Sequence, residues 1–147
     1  MIQREDLPLR HYIYDHFART GHAPAIADVS QALYLSEDQV LEGIRRLHQG
    51  HALLLAGDGS IRMANPFSGV PTDFLVRSGE QQWWANCIWD GFGILVCTGK
   101  RGSIKTHCPH SGESLNIEYG KKVIAPEGAI VHFMLPFSEW YNDLVDT

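Results

Sequence analysis

The sequence of 147 residues lacks any long apolar run and lacks a leader-like start. No segment approaches the roughly 18 consecutive apolar residues that a membrane-spanning helix needs. The opening residues, MIQREDLPLR, have neither the basic end nor the apolar stretch of a secretory signal. We therefore expect a cytoplasmic protein that does not enter a membrane.

Cysteine and positive charge are also scarce. Three cysteines cannot form a complete disulfide framework, so we expect reduced thiols, whose function would be thiolate chemistry or metal binding. The formal net charge of −5 argues against a protein whose main function is to bind the phosphate backbone of a nucleic acid. With 44% hydrophobic and 20% charged residues, the chain suits one compact unit or two very small ones.

The first half of the chain predicts three helices followed by a hairpin. Pro8 can open a helix that Gly21 ends, and a second short helix fits AIADVSQALYL. Ser36 and Gln39 form a capping-box pattern before a third helix that stops at Gly50. HALLLAGDGSIRMA then reads as strand, tight turn and strand. This order is typical of a winged helix-turn-helix.

The second half predicts a small mixed α+β unit. The stretch NPFSGVPTDF, rich in turn-forming residues, places a boundary between a winged-helix-like domain at 1–65 and an α+β domain at 66–147. Strands are expected at FLVRS and AIVHFML, a hairpin at GSIKTHC and ESLNIEY, and a helical end at FSEWYNDLVDT. The fold class is therefore α+β, and we expect the two small domains to share a core.

One segment, WWANCIWDGFG at residues 83–93, combines a thiol and a carboxylate in apolar surroundings. Cys87 and Asp90 are three positions apart, so a helical turn would bring their side chains together, although Gly91 and Gly93 also allow a break soon afterwards. Apolar surroundings should raise the pKa of Asp90, which could then deliver a proton to a carbanion. Cys87 as a thiolate would be a nucleophile and a soft-metal ligand. Spacing alone leaves open a buried apolar cysteine and an aspartate at a helix end.

Tryptophans flank this pair. Trp83, Trp84 and Trp89 could wall an apolar substrate pocket, and core packing explains them equally well. Cys97 is expected to be a small buried residue at the end of GILVC.

A second group of donor residues follows in THCPHSG. His107, Cys108 and His110 are metal donors at short spacing, but they lack the paired spacing of a zinc site. In a strand the first two would point to opposite faces, so we expect a structural role.

The third predicted helix carries too little positive charge for a helix that binds DNA. Residues 1–70 hold six Lys and Arg against eight Asp and Glu, and the helix begins with Glu37 and Asp38. The residues of this segment that can carry positive charge are Arg45, Arg46 and two histidines. We expect the domain to pack rather than to bind DNA.

From about residue 9 onward the sequence resembles the alkylmercury lyase family. The matching stretches are WWANCIWDGFG, THCPHSGESLNI and VIAPEGAIVHFMLP, in that order. The resemblance implies an N-terminal winged-helix-like domain and a C-terminal catalytic domain that cleaves carbon–mercury bonds. It also implies that Cys87 is the first catalytic cysteine, Asp90 the proton-relaying aspartate and Cys108 a structural cysteine.

The sequence departs from the family at the second catalytic cysteine. Its position, counted from the MLP strand, falls at or near Thr147, and no cysteine occurs there. Either the sequence ends just before that residue or this relative has lost it. The activity could then be weak or lost.

The resulting hypothesis is an organomercurial lyase-like protein that captures an organometal or soft electrophile. Cys87 and Asp90 would bind the metal, and Asp90 would protonate the carbon. The ligand expected is a small organometal or soft metal ion, with no cofactor, DNA or membrane partner. The alternatives are a metal-responsive or DNA-binding winged-helix regulator, and an enzyme that uses the same pair on another substrate.

Overall fold

The computed structural model describes residues 3–133, 136 and 139–140, and its helices lie mostly in the first third of the chain. A short 3-10 turn at Arg4–Asp6 leads into α1 (Leu7–Thr20), which α2 (Ile26–Leu33) and α3 (Glu37–Gln49) follow. A fourth helix, α4 (Ile88–Cys97), lies between strands. The strands are β1 (Leu54–Leu55), β2 (Ile61–Ala64), β3 (Phe67–Ser68), β4 (Phe74–Ser78), β5 (Gln81–Ala85), β6 (Gly102–His107), β7 (Ser114–Tyr119) and β8 (Val123–Ile124).

The strands of the described residues form one antiparallel sheet in the order β1-β2-β3-β5-β4-β6-β7-β8. This arrangement confirms the α+β class. The β1–β2 hairpin follows three helices, as expected, and it continues through β3 directly into the strands of the second half. The sheet therefore crosses the predicted boundary near residue 65 without interruption.

Local signals set the limits of the first three helices. At the end of α1, Gly21 adopts φ 79 and donates its N–H to the Phe17 carbonyl. At the start of α3, Ser36 accepts from the Gln39 N–H while the Gln39 side chain accepts from the Ser36 N–H, so the predicted capping box is confirmed. Such reciprocal capping satisfies two otherwise unpaired helix donors.

An ion pair between a buried aspartate and a partly exposed arginine fixes the start of α1 against α3. Asp6, which is 2% exposed, accepts three hydrogen bonds from the Arg46 guanidinium at 2.7 to 3.2 Å. Gly43 allows this close approach, because a Cβ there would lie 2.5 Å from a methyl of Leu9. The charge of Asp6 is thus neutralised where it is buried.

The helices and the sheet share one hydrophobic core, as expected. Trp83 of β5 is 1% exposed, and its indole N–H points at the carbonyls of Phe17 and Ala18, each at 3.1 Å. Across the central strands, Val76 pairs with both Trp83 and Ile104 and so places them on the same face. The buried residues of this core include Leu9, Ile13, Phe17, Val29, Val40, Ile44, Leu47, Val76, Trp83, Ile94, Leu95 and Ile104.

The predicted strand at AIVHFML is not formed in its described part. Residues 129–133 have no strand partner among the described residues, and Ile130 is 87% exposed. The last pairing is instead made by β8 at Val123–Ile124, which lies against β7. The strand predicted from the apolar composition of these residues was wrong, because they do not pair with a strand of the described part of the sheet. Met134, Leu135 and most of the predicted helical end FSEWYNDLVDT lie outside the described residues.

No helix within the described part of the chain is long and apolar enough to cross a bilayer. The longest, α1, has 14 residues, whereas a span needs about 20.

Candidate active site at the start of helix α4

Cys87 is the residue that caps the N-terminus of α4. Its backbone is extended, and its sulfur accepts a hydrogen bond from the Asp90 N–H at 3.5 Å. This geometry places the thiol over the first turn of the helix, where unpaired N–H groups create a positive potential. The side chain is partly shielded from solvent.

The structure brings Asp90 against Cys87, as the spacing of three predicted. The two side chains lie close enough for each to shift the pKa of the other, and both are partly buried. Among residues 3–133, 136 and 139–140, no basic side chain forms an ion pair with the carboxylate. Asp90 is therefore a shielded carboxylate whose nearest polar partners are neutral.

Both groups of the pair are biased toward their protonated forms. Burial raises the pKa of Asp90, although hydrogen bonds from Asn86 and Cys87 partly offset the effect. Burial and the negative charge of Asp90 raise the pKa of Cys87, with partial compensation from the N–H groups of Asp90 and Trp89. Because the two groups are coupled, removing a proton from one makes its removal from the other harder.

Asn86 is a further member of the site that the sequence analysis did not identify. Its Nδ2 lies 3.1 Å from Oδ2 of Asp90, 3.1 Å from Oδ1 of Asn65 and 3.5 Å from the Phe67 carbonyl. Its Oδ1 is buried and has no hydrogen-bond partner among the described residues. The residue therefore ties Asp90 to the loop before β3. The one signal in the sequence that could have identified Asn86 is its position next to Cys87.

Helix α4 runs through both glycines that would weaken it in isolation. A Cβ on Gly91 would lie 2.9 Å from a methyl of Ile104, and one on Gly93 would lie 3.1 Å from Pro66. These glycines let the helix pack closely on β6 and on the loop before β3. Tertiary packing therefore outweighs helix propensity, and the early break that the sequence allowed does not occur.

Of the three predicted substrate-binding tryptophans, Trp89 lies next to the Cys87–Asp90 pair. It is 62% exposed, and its ring meets Phe133 edge to face at 6.4 Å between centroids. Phe133 in turn contacts Trp140 at 5.3 Å. These three rings form an aromatic cluster beside the first turn of α4. Phe133 and Trp140 were missed because they follow Trp89 by more than forty residues.

The other two tryptophans lie elsewhere on β5. Trp83 is enclosed in the core, as described above. Trp84 pairs with Leu75 on the opposite sheet face from Val76 and Ile104, whereas α4 packs on the face of Ile104. Among the three predicted tryptophans, Trp89 is the exposed one.

The two remaining thiols lie apart from Cys87. Cys97 is the last residue of α4, so the helical rise separates it from Cys87 by about 15 Å. It is exposed rather than buried, which corrects the sequence expectation. Burial of its sulfur nevertheless raises the pKa of Cys97, and its thiol donates to the Ile94 carbonyl at 3.4 Å.

Cys108 begins the turn between β6 and β7. The Ser111 hydroxyl, followed by the N–H groups of Ser111 and His110, lowers the pKa of this thiol. The backbone of Cys108 closes the turn through hydrogen bonds with Glu113 and Gly112, each at 2.8 Å. These bonds are consistent with a structural role.

The histidines near Cys108 do not complete a metal site in the described residues. His107 lies 3.5 Å from the Asp73 carboxylate, and both side chains are largely exposed. His110 is exposed in the turn. No group of three His, Cys, Asp or Glu side chains in the described part of the chain is placed to hold a metal ion.

Comparison with known proteins identifies the family. The model of the alkylmercury lyase family matches residues 67–146, which is more than half of the chain and includes Cys87 and Asp90. The chain belongs to the alkylmercury lyase family. No curated protein matches it.

A solved structure shares the fold of this family member. The mercury-bound form of MerB2 superposes with a TM-score of 0.69 at 18% sequence identity. The match covers 85% of this chain and 61% of that protein, so the chain spans less than two thirds of its structural relative. At this identity the likeness concerns the fold.

Proposed function

We propose that this alkylmercury lyase family member binds organomercurials through Cys87 and protonates the carbon of the carbon–mercury bond through Asp90. The observation that carries the proposal is the contact between a thiol at a helix N-terminus and a shielded carboxylate without a cationic partner in the described residues. Membership of the family supports it.

The first step is capture of the metal. The Cys87 sulfur displaces the exchangeable ligand of the organomercurial, such as water or chloride, and forms a bond to mercury. That ligand leaves to solvent, and the thiol proton passes to the Asp90 carboxylate. The raised pKa of Asp90 favours acceptance of that proton, and the N–H groups over the first turn stabilise negative charge on sulfur. A soft thiolate is the protein ligand that suits a soft metal.

The second step is protonolysis. Asp90 delivers the proton to the carbon, and the electron pair of the carbon–mercury bond becomes the new carbon–hydrogen bond. The hydrocarbon leaves, and mercury remains bound to the sulfur with the Asp90 carboxylate beside it. General acid catalysis of this kind typically contributes a factor of about 10² to 10⁴.

Two further features assist these steps in the proposal. The exposed ring of Trp89, with Phe133 behind it, offers an apolar surface for the hydrocarbon group. Asn86 is a positioning residue, because its amide donates a hydrogen bond to Oδ2 of Asp90 and so fixes the carboxylate. Trp83 and Trp84 take no part, because one lies in the core and the other lies on the opposite sheet face.

A second thiol would have to come from outside the described site. Cys97 is too far from Cys87 to share one mercury ion with it, and Cys108 lies two strands away, beyond β4. We therefore infer that this chain releases hydrocarbon slowly without added thiol. External cysteine or glutathione supplies the missing ligand and speeds the release.

The experiment measures capture and release separately. Wild type and Cys87→Ser are titrated with methylmercury, and methane is followed by headspace gas chromatography with and without glutathione. Cys87→Ser should lose tight capture, whereas the matched control Cys97→Ser should keep both capture and release. Equal capture by Cys87→Ser would overturn the proposal.

A gain-of-function variant tests the second-thiol inference. Thr147→Cys, extended by a few residues, should release methane faster without added thiol; Thr147 itself lies outside the described residues. Fast release by the unmodified chain without thiol would show that a second ligand is unnecessary.

The helical region has a supporting role in this proposal. We infer a winged-helix-like domain at residues 1–65 that packs on the lyase-like domain at 66–147 and does not read DNA. In α3, Arg45 lies 3.6 Å from Glu42, and Arg46 is held by Asp6. These cations are already engaged with carboxylates. Because Cys87 has to be a free thiol, we place the protein in a reducing compartment such as the cytoplasm.

A further inference from the structure

A cavity lies at the end of the central strands away from Cys87. It has a volume of about 780 Å³ and lies between the end of β4, the turn before β6 and the turn between β7 and β8. The charged residues of its lining are Arg77, Arg101, Glu118, Lys121 and Lys122. The cavity is largely open to solvent, and its volume lies within the range of about 300 to 1,000 Å³ that is common for small-molecule sites.

The cavity concentrates positive charge in an acidic protein. Four cations, Arg77, Arg101, Lys121 and Lys122, line it against one carboxylate, Glu118, whereas the whole chain carries −5. None of the four forms an ion pair with a carboxylate of the described residues. By contrast, Arg46 is held by Asp6. Four like charges around one volume repel each other unless an anion lies between them.

The base of the cavity is held in place by backbone contacts. Arg77 and Ser103 are paired across β4 and β6, and Gly102 permits that pairing because a Cβ there would lie 2.0 Å from the Arg77 carbonyl oxygen. The Ser78 hydroxyl donates to the Arg101 carbonyl at 2.7 Å and joins the end of β4 to the turn before β6. The arginines therefore start from fixed backbone positions.

We propose that this cavity is a binding site for a small molecule that carries a phosphate or pyrophosphate group. The two guanidinium groups can each form paired hydrogen bonds with phosphate oxygens, and the two lysines add point charge. The cations come from three separate segments that face one concave volume, which suits a compact ligand. A long nucleic acid would instead meet a surface whose overall charge is negative.

The proposed anion site is separate from the Cys87 site. Ala85, two residues before Cys87, pairs with Phe74 at the start of β4, whereas Arg77 pairs with Gln82 near its other end. A ligand in the cavity therefore does not contact the Cys87–Asp90 pair. Mercury capture should be unaffected by changes in the cavity.

The test uses inorganic pyrophosphate as the probe and isothermal titration calorimetry at low ionic strength. The full chain should bind one pyrophosphate saturably, and the double variant Lys121→Gln/Lys122→Gln should bind about tenfold more weakly or worse. Both lysines are exposed, so the variant should fold. The matched control is Lys100→Gln/Lys105→Gln, which removes the same charge outside the cavity and should bind as the wild type does.

Each other outcome overturns the proposal. Absence of saturable binding excludes the site, and equal weakening in the control variant shows a general charge effect. Tighter binding of citrate than of pyrophosphate would assign the cavity to carboxylates, and stronger competition by a short DNA duplex would assign the surface to nucleic acid. Amide NMR shifts at Gly79, Gly102 and Gly120 should locate the bound pyrophosphate.

Discussion

Two shielded aspartates at the starts of helices have opposite environments in this protein. Asp6, before α1, receives three hydrogen bonds from the Arg46 guanidinium. Asp90, in the first turn of α4, has the Asn86 amide and the Cys87 thiol as its partners. The first carboxylate is neutralised and joins two helices. The second has a raised pKa, which is the property that the proposed proton transfer uses.

The largest expected effect is on proton delivery. Asp90→Asn should lower methane release from methylmercury by about 10² to 10⁴, because the general acid is lost. Mercury capture by Cys87 should persist, as measured by titration with methylmercury. The exposed Asp28→Asn serves as the control and should release methane at the wild-type rate. Full release by Asp90→Asn would show that the proton comes from another group.

Loss of the structural carboxylate should affect stability instead. Asp6→Asn removes the charged acceptor of the partly exposed Arg46 guanidinium, so the free energy of unfolding should fall by about 1.5 kcal/mol. Urea unfolding followed by circular dichroism measures this change. Asp15→Asn, which breaks the exposed pair with Arg19, should cost less than about 0.5 kcal/mol. The comparison between the aspartates fails if Asp6→Asn lowers methane release per folded molecule.

The pH dependence of stability should identify Asp90 as the uncompensated acid. Because its pKa is raised in the folded protein, the folded state holds this proton more tightly than the unfolded chain. The stability that the protonated Asp90 contributes is fully present below the ordinary pKa of aspartate. It is lost as pH rises through the raised pKa of the folded state. Asp90→Asn should therefore gain stability relative to wild type between pH 4 and pH 7, in urea titrations at each pH. A constant difference across that range would contradict the raised pKa.

The smallest expected effect concerns the residue that positions Asp90. The Asn86 hydrogen bond lowers the pKa of Asp90, so Asn86→Ala should raise it further. The acidic limb of the pH profile of kcat/KM for methane release should then move to higher pH. Asn116→Ala, at an exposed position of β7, should leave the profile in place. A fall in rate without a shift in the profile would indicate a structural role for Asn86 alone.

The local features of this fold could be predicted from sequence because they depend on near neighbours. The capping box at Ser36, the glycine that ends α1 and the contact between Cys87 and Asp90 all arise within three or four positions. The hairpin between β6 and β7 also follows from its own turn. Such features depend little on the rest of the chain.

Features that depend on distant partners could not be predicted. The position of the Asn86 side chain depends on its hydrogen bonds to Asn65 and Phe67, which precede it by 21 and 19 residues. The different environments of Trp83 and Trp84 follow from the pairing of β5 with β4, since adjacent residues of a strand face opposite sides. The continuation of α4 through Gly91 required Ile104 of β6.

The uninterrupted sheet has a consequence for how this protein can change by recombination. Strands from Leu54 to Ile124 are hydrogen-bonded in one series, and β3 carries the pairing from the helical region to the strand that leads into Cys87. A gene crossover within that span would join strand edges that never paired before, with unmatched side chains on both faces. Exchanges that fall between β1 and β8 therefore disrupt the sheet. The thiol site and the hairpin beside the helices are inherited as one block.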